Sequence, residues 1–438
     1  MERKAMDKLI AWKSKKNRKP LLLYGARQVG KTYLVKEFGK SFSDMIYVNF
    51  ETNEIINSVI NENIEPKNII KQLEIFFNKK ITTDTLIFFD EIQQNPRALT
   101  SLKYFCEDEP SYYIIGAGSL LGVHINRENY SFPVGKVDIL NIYPMDFEEF
   151  LIATSNDLLV EEIKKSYTTN NKLPKLLHEK ALELYSDYLA IGGMPEVVFE
   201  YIKSNSLIDA IDIQTKILES YKNDITKYTN YQDANKILSA FESIPNQLAK
   251  DNKKFQYKLI QKGGTSTIFG YAIDWLVNAG IVNKCYKTSI GVPLKMYEQL
   301  DSFKLYMNDV GLLTNLSRFP LYLIKNQEIG NELMIGMLTE NYVASCFKYN
   351  ELNLNYWQNE YQSEIDFIIQ TDKGNIIPVE VKTSNHVKSR SLTNYVNEYN
   401  PKYAIRISSK NFGFENNIKS VPLYAVFCIN NLDIGDEL

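Results

Sequence analysis

Gly25-Ala26-Arg27-Gln28-Val29-Gly30-Lys31-Thr32 is the stretch that decides the fold of this chain. It fills the pattern G-x-x-x-x-G-K-[ST] at every defined position. The apolar run Leu21-Leu22-Leu23-Tyr24 leads in, and a helical pattern from Thr32 to Phe38 leads out. Strand, glycine-rich loop and helix in that order make a phosphate cradle. Glycine lets successive backbone N–H groups curl around an anion, and the helix N-terminus adds its partial positive charge. Lys31 is then placed to reach the β- and γ-phosphates of ATP, and the Thr32 hydroxyl to ligate Mg²⁺.

A nucleotide site needs a carboxylate at the end of a second strand, and Thr85-Leu86-Ile87-Phe88-Phe89-Asp90-Glu91 supplies it. Four large apolar residues in a row suit a strand buried on both faces of a parallel sheet. Asp90 at its carboxyl end would hold the Mg²⁺, directly or through water. Glu91 beside it is the natural general base for an attacking water. A further strand, Tyr112-Tyr113-Ile114-Ile115, runs into Gly116-Ala117-Gly118-Ser119, which places Ser119 to sense the γ-phosphate.

Composition bounds the rest. The chain has 438 residues, 44% of them apolar, and a formal net charge of −3. That length suggests about three domains, and the charge gives no global support for nucleic-acid binding. No stretch reaches the roughly 18 apolar residues of a membrane span, and Met1-Glu2-Arg3-Lys4 opens no secretory signal. Cys106, Cys285, Cys346 and Cys428 are isolated, as expected of reduced thiols in a cytoplasm. His124, His178 and His386 lack the spacing of a zinc site.

Turn chemistry marks the divisions. Helical segments are expected between Asp157 and Lys227, broken at Ile191-Gly192-Gly193-Met194-Pro195. Beyond Asp233, Ser266 or Thr267 can cap a helix whose apolar stripe is Ile268, Tyr271, Ala272, Trp275, Leu276 and Ala279, with Gly280 as its stop. Two β-rich stretches, Ile281 to Lys287 and Phe303 to Met307, then flank Gly291-Val292-Pro293. Helices followed by a two-stranded wing suggest a winged helix. Lys253, Lys254, Lys258 and Lys262 would then either meet phosphate or form a solvated face.

The last hundred or so residues hold a second constellation. Glu364-Ile365-Asp366-Phe367-Ile368-Ile369 and Ile377-Pro378-Val379-Glu380-Val381-Lys382 both alternate as strands do. If Asp372-Lys373-Gly374 makes a three-residue loop with Gly374 left-handed, Asp366 faces Glu380 and Glu364 faces Lys382. A two-residue turn would put the acids on opposite faces. On the preceding helix, Leu333, Met337, Glu340, Ala344 and Phe347 share a stripe on which Glu340 is the one charge. A buried carboxylate needs compensation, and a divalent cation is the obvious candidate. Glu340, Asp366 and Glu380 around Mg²⁺, with Lys382 steadying developing charge, would cleave a phosphodiester, making DNA a partner.

At this point the chain resembles a known family. The P-loop, Asp90-Glu91, Gly118-Ser119, Tyr188-Leu189-Ala190-Ile191-Gly192-Gly193-Met194-Pro195-Glu196 and Asn308-Asp309-Val310-Gly311-Leu312-Leu313 occur in that order. They look like the prokaryotic AAA-domain ATPases that carry a C-terminal domain of unknown function with a nuclease-like core. The C-terminal acids are similar to the PD-(D/E)xK nuclease superfamily. That resemblance implies Asp366 and Glu380 as metal ligands, Lys382 as catalytic lysine and Glu340 as the helix acid. Two features depart from the pattern: Asp366 follows Ile365 rather than proline, and Gly135-Lys136 stands where relatives have Gly-Arg. Lysine cannot make the planar bidentate contact of an arginine finger; Arg127 is a nearby substitute candidate or else a solvated loop arginine.

The fold expected is therefore α/β. A P-loop NTPase parallel sheet would occupy residues 1–155, a helical lid 156–232, a winged-helix-like middle 233–322, and a restriction-endonuclease-like α/β domain 323–438. Two functions compete, and the presence of Glu340, Asp366, Glu380 and Lys382 in compatible positions selects the first. One is an ATPase that positions a metal-dependent deoxyribonuclease on DNA. The other is a nucleotide-dependent switch whose C-terminal domain binds nucleic acid or a protein partner without cleaving it. A homo-oligomer fits either.

Overall fold

A computed structural model describes residues 1–119, 132–250, 253–320, 323–324, 332–360, 363–383 and 390–432. The chain divides into two compact units, residues 1–143 with 278–281, and residues 144–277 with 282–438.

The first unit is built on β1 (Leu21–Tyr24), β2 (Asp44–Asn49), β3 (Thr85–Asp90), β4 (Tyr113–Ala117) and β5 (Asp138–Asn141). All pairings are parallel and the order is β2-β3-β4-β1-β5, so β4 separates the loop-bearing strand from the acid-bearing one. Every residue of β3 is buried, as its unbroken apolar run requires. Helices close the connections with local signals. Asn95 accepts from the Arg97 and Ala98 amides in front of Pro96–Asp108, whose first residue is proline. Asn53 caps Glu54–Glu62 through the Ile56 amide. Leu22, Val48, Ile87, Phe89, Leu99 and Phe105 pack into the core between sheet and helices.

The second unit begins with helices. Phe147–Ala153 opens with a capping box between Asp146 and Glu149. Asp157–Thr169, Lys175–Ile191, Pro195–Ser204 and Leu207–Tyr228 follow, and the Gly-Gly-Met-Pro break falls between two of them as expected. The helix Ser266–Asn278 starts at Ser266 itself, so the cap position lies one residue earlier, at Thr265. Its stripe is also rotated: Phe269, Ala272, Ile273, Trp275 and Leu276 are buried, whereas Ile268 and Tyr271 are exposed.

The hairpin after that helix is not a free wing. Strands β6 (Val282–Thr288) and β7 (Glu298–Met307) pair antiparallel, but β6 also pairs in parallel with β8 (Asn355–Gln358). It thereby joins β9 (Glu364–Gln370), β10 (Ile376–Val381), β11 (Ala404–Ser408), β12 (Gly413–Glu415) and β13 (Ile418–Pro422). The result is one eight-stranded mixed sheet, ordered β12-β13-β11-β10-β9-β8-β6-β7. What the sequence divides into middle and C-terminal parts is continuous because β6 finds its second partner more than sixty residues on.

Candidate functional site

The phosphate cradle forms where the glycines demand it. Gly25 has φ +149°, Gln28 +65° and Gly30 +89°, and Gly30 precedes the helix Lys31–Gly39. A Cβ at Gly25 would lie 2.2 Å from the Ile142 carbonyl oxygen, so glycine is required there by close approach as well as by backbone hand. Lys31 is buried and its Nζ donates to the carbonyls of Gly25 at 2.9 Å and Ala26 at 2.8 Å. Burial lowers its pKa to about 8, although Glu91 and Asp90 pull it upward.

Asp90 sits across from that lysine at the end of β3. Its Oδ2 accepts from Thr32 Oγ1 at 2.9 Å and from the Tyr47 hydroxyl at 3.0 Å. Burial raises the Asp90 pKa, against which the Thr32 bond works. Glu91 adopts a left-handed backbone, φ +50°, which turns its side chain out of the strand line. Its Oε2 accepts from the Gln93 amide and from Ser119 Oγ at 3.2 Å. The structure thus brings Lys31, Thr32, Asp90, Glu91 and Ser119 of the expected set together. Tyr47 and Gln93 were not legible in the sequence. A tyrosine in a strand usually reads as packing, and the pairing of β2 with β3 is what turns Tyr47 toward Asp90.

The strand acids of the second unit are carried by a hairpin of the expected register and by a bulge beside it. The three-residue loop is present: Gly374 N donates to Thr371 O at 2.9 Å, Gly374 has φ +81°, and Ile377 pairs with Ile369 and Val379 with Phe367. The ladder then stops, and the Val381 amide donates to the Asp366 carboxylate at 2.7 Å. Against β8, a step from Asn355 to Trp357 is matched by a step from Ile368 to Ile365, one residue longer. This bulge breaks the alternation. Ile365 and Ile368 consequently lie in one core with Leu392 and Tyr395, which strict alternation forbids.

The acids differ in their cation partners. Glu340, 3% exposed, is held by Lys253, by the Tyr306 hydroxyl and by Lys304 at 3.0 Å; Lys304, fully buried, also pairs with Glu364 at 2.6 Å. Burial pushes the Glu340 carboxyl upward, but Lys253 and Lys304 outweigh it and keep it low. Asp366 belongs to this neighbourhood: burial and then the Glu340 charge raise its pKa. Glu380 has cation partners of its own, Lys382 at 3.4 Å and Arg406 at 3.7 Å. Among the described residues no three His, Cys, Asp or Glu side chains form a group that could hold a metal ion. The expected ring of Glu340, Asp366 and Glu380 is therefore not assembled. Lysines supply the compensation that a cation was expected to give. Lys253, in turn, is an internal partner and not part of a basic face.

Lys136 pairs with Glu107 at 2.8 Å, and Arg127 lies outside the described residues.

Family models match three stretches of the chain. Residues 17–151 match the AAA domain model. This segment is an AAA-type P-loop ATPase domain. Residues 182–322 and 335–426 match two domains of unknown function, DUF8612 and DUF4143. No curated protein matches the chain. Solved structures similar to it include the Walker-type ATPase PABY2304 of Pyrococcus abyssi, at 16% identity, covering 72% of this chain and 95% of that one, TM-score 0.43. The Aeropyrum pernix ORC1 protein in complex with DNA is similar at 13% identity, covering 73% and 91%, TM-score 0.27. AMPPCP-bound DnaA from Aquifex aeolicus is similar at 16% identity, covering 61% and 84%, TM-score 0.28. Among the described residues no helix is long and apolar enough to cross a membrane.

Proposed function

We propose that the AAA domain binds and slowly hydrolyses Mg-ATP, and that the protein is a nucleotide-dependent switch whose C-terminal part binds nucleic acid or a protein partner without cutting it. The observation behind the ATP site is the 2.9 Å bond between Thr32 Oγ1 and Asp90 Oδ2. It puts two hard oxygen donors of separate elements at one point, beside Lys31, which suits Mg²⁺. The ion, when bound, would neutralise charge on the β- and γ-phosphates. Lys31 leaves the Gly25 and Ala26 carbonyls for the phosphates, and the cradle amides orient them. Glu91 takes the proton of the attacking water once Ser119 turns from it to the γ-phosphate. Turnover is slow because Lys136 is engaged with Glu107 and offers a point charge at most.

The division at 155 and 232 belongs to this reading, with 322 a boundary along the chain that the shared sheet crosses, as do a cytoplasmic location and assembly with further copies or a protein partner. Non-cleavage is supported by the lysines that hold Glu340. Cleavage is the second reading. It is favoured by Glu380 Oε2, which is buried and among the described residues accepts no hydrogen bond, with Arg406 Nε 3.7 Å from it and Lys382 on the other oxygen at 3.4 Å. Plasmid and branched DNA incubated with Mg²⁺ or Mn²⁺, with and without ATP, decide between them. Binding without strand breaks supports the switch. Breaks made by the wild type and lost in Glu380→Ala establish the nuclease. Lys31→Ala should abolish binding of labelled ATP; retained affinity would remove the P-loop site.

A further inference from the structure

A buried arginine outside the matched AAA segment touches the cradle. Arg3, 8% exposed, donates from Nη1 to the Val29 carbonyl at 3.0 Å and from Nη2 to the Tyr143 carbonyl at 2.7 Å. It precedes the helix Ala5–Ser14, which buries Leu9 and Trp12. Trp12 packs against Phe38 of the P-loop helix with ring centroids 6.3 Å apart. The arm is thus fixed to the element that the P-loop opens. Its other anchor is equally fixed: Ile142, next to Tyr143, donates its amide to Tyr24 O at 2.7 Å and abuts Gly25.

The consequence follows from peptide geometry. The Val29 carbonyl and the Gly30 N–H are two ends of one planar trans peptide and point in opposite directions. A partner that holds the carbonyl outward therefore aims the Gly30 N–H into the cradle. Glycine at 30 makes this peptide easy to flip, so something must hold it. Arginine suits the task because its planar fork can bridge two carbonyls at once, which an ammonium cannot do with the same geometry.

We propose that Arg3 is a positioning residue of the nucleotide site, locking the Val29–Gly30 peptide so that the Gly30 amide faces the phosphates. This rests on the reading of Gly25–Thr32 as an ATP site. The N-terminal arm is on this account part of the binding machinery although it precedes residue 17, where the AAA match begins.

The test compares full-length wild type, Arg3→Met and Arg3→Lys, with Lys31→Ala as the mark of a dead site. Affinity for labelled ADP is measured well below each protein's unfolding midpoint, and KM and kcat for ATP are separated. Arg3→Met should bind about tenfold more weakly, with KM raised and kcat at saturation little changed, the signature of lost ground-state preorganisation. Arg3→Lys, which reaches one carbonyl, should fall between the two. If both variants fold and bind as the wild type does, the inference is overturned. If Arg3→Met does not fold, Arg3→Lys with undiminished affinity overturns it alone. A wild type that binds no labelled nucleotide sinks the site reading itself.

Discussion

A single carboxylate oxygen, Asp90 Oδ2, receives both Thr32 and Tyr47. The tyrosine ring is held in turn by Lys36, whose Nζ lies 4.2 Å from its centroid, and that lysine is on the P-loop helix. Tyr47 therefore helps set the direction of the Asp90 carboxylate. Tyr47→Phe should lower turnover by about tenfold, the worth of one hydrogen bond to a charged group. ADP affinity without Mg²⁺ should stay unchanged; steady-state kinetics and a binding titration check both. Glu91→Gln keeps the shape but cannot accept a proton, so it should bind ATP normally and turn over about a hundredfold or more slowly. Normal hydrolysis in that variant would mean another base. Lys31, Thr32, Asp90 and Glu91 were legible because a phosphate site demands particular residue types at short spacing. Tyr47 and Arg3 were not, because their roles depend on neighbours distant in sequence.

At the scale of elements, two of the motifs that carry the family resemblance hold each other. Asp309 accepts from the Gly193 amide at 2.6 Å and caps the helix Val310–Leu316 through the Leu312 amide at 2.8 Å. Met145 N also donates to Gly193 O at 2.6 Å, and a Cβ at Gly193 would lie 1.8 Å from Met145 O. Gly193→Ala should cost about 3 kcal/mol or more, read as a lowered denaturation midpoint, because backbone has to move. Burial raises the Asp309 pKa to about 6, against the pull of the Gly193, Leu312 and Gly311 amides. Its ordinary value is about 3.9. The folded protein thus holds this proton more tightly than the unfolded chain. The associated stability is full below about pH 4 and is lost as pH rises through about 6. Relative to Asp309→Asn, the wild-type midpoint should fall across that window; parallel curves would refute it. The glycine turn was visible in sequence, but its partner more than a hundred residues away was not.

At the scale of the whole molecule, the second unit has one sheet in which the middle hairpin and the C-terminal strands share hydrogen bonds. Across it, Lys304 on β7 answers both Glu340 on the helix Glu332–Tyr349 and Glu364 on β9. Lys304→Met would strand two carboxylates, one of them buried, and should cost about 3–5 kcal/mol by chemical denaturation. A near-neutral result would mean that Lys253 alone compensates Glu340. The sequence by itself determined the P-loop, the buried acid-bearing strand and the lone charge on the stripe of Met337 and Phe347. Each of these is written in local spacing, backbone hand or apolar period, which need no knowledge of distant partners. Only the tertiary structure decided what compensates Glu340, which face Asp366 takes after the bulge, and which carbonyls Arg3 bridges. Charges and hydrogen-bonding groups pair with whatever the fold brings within a few ångströms, and proximity in space is not encoded in proximity along the chain.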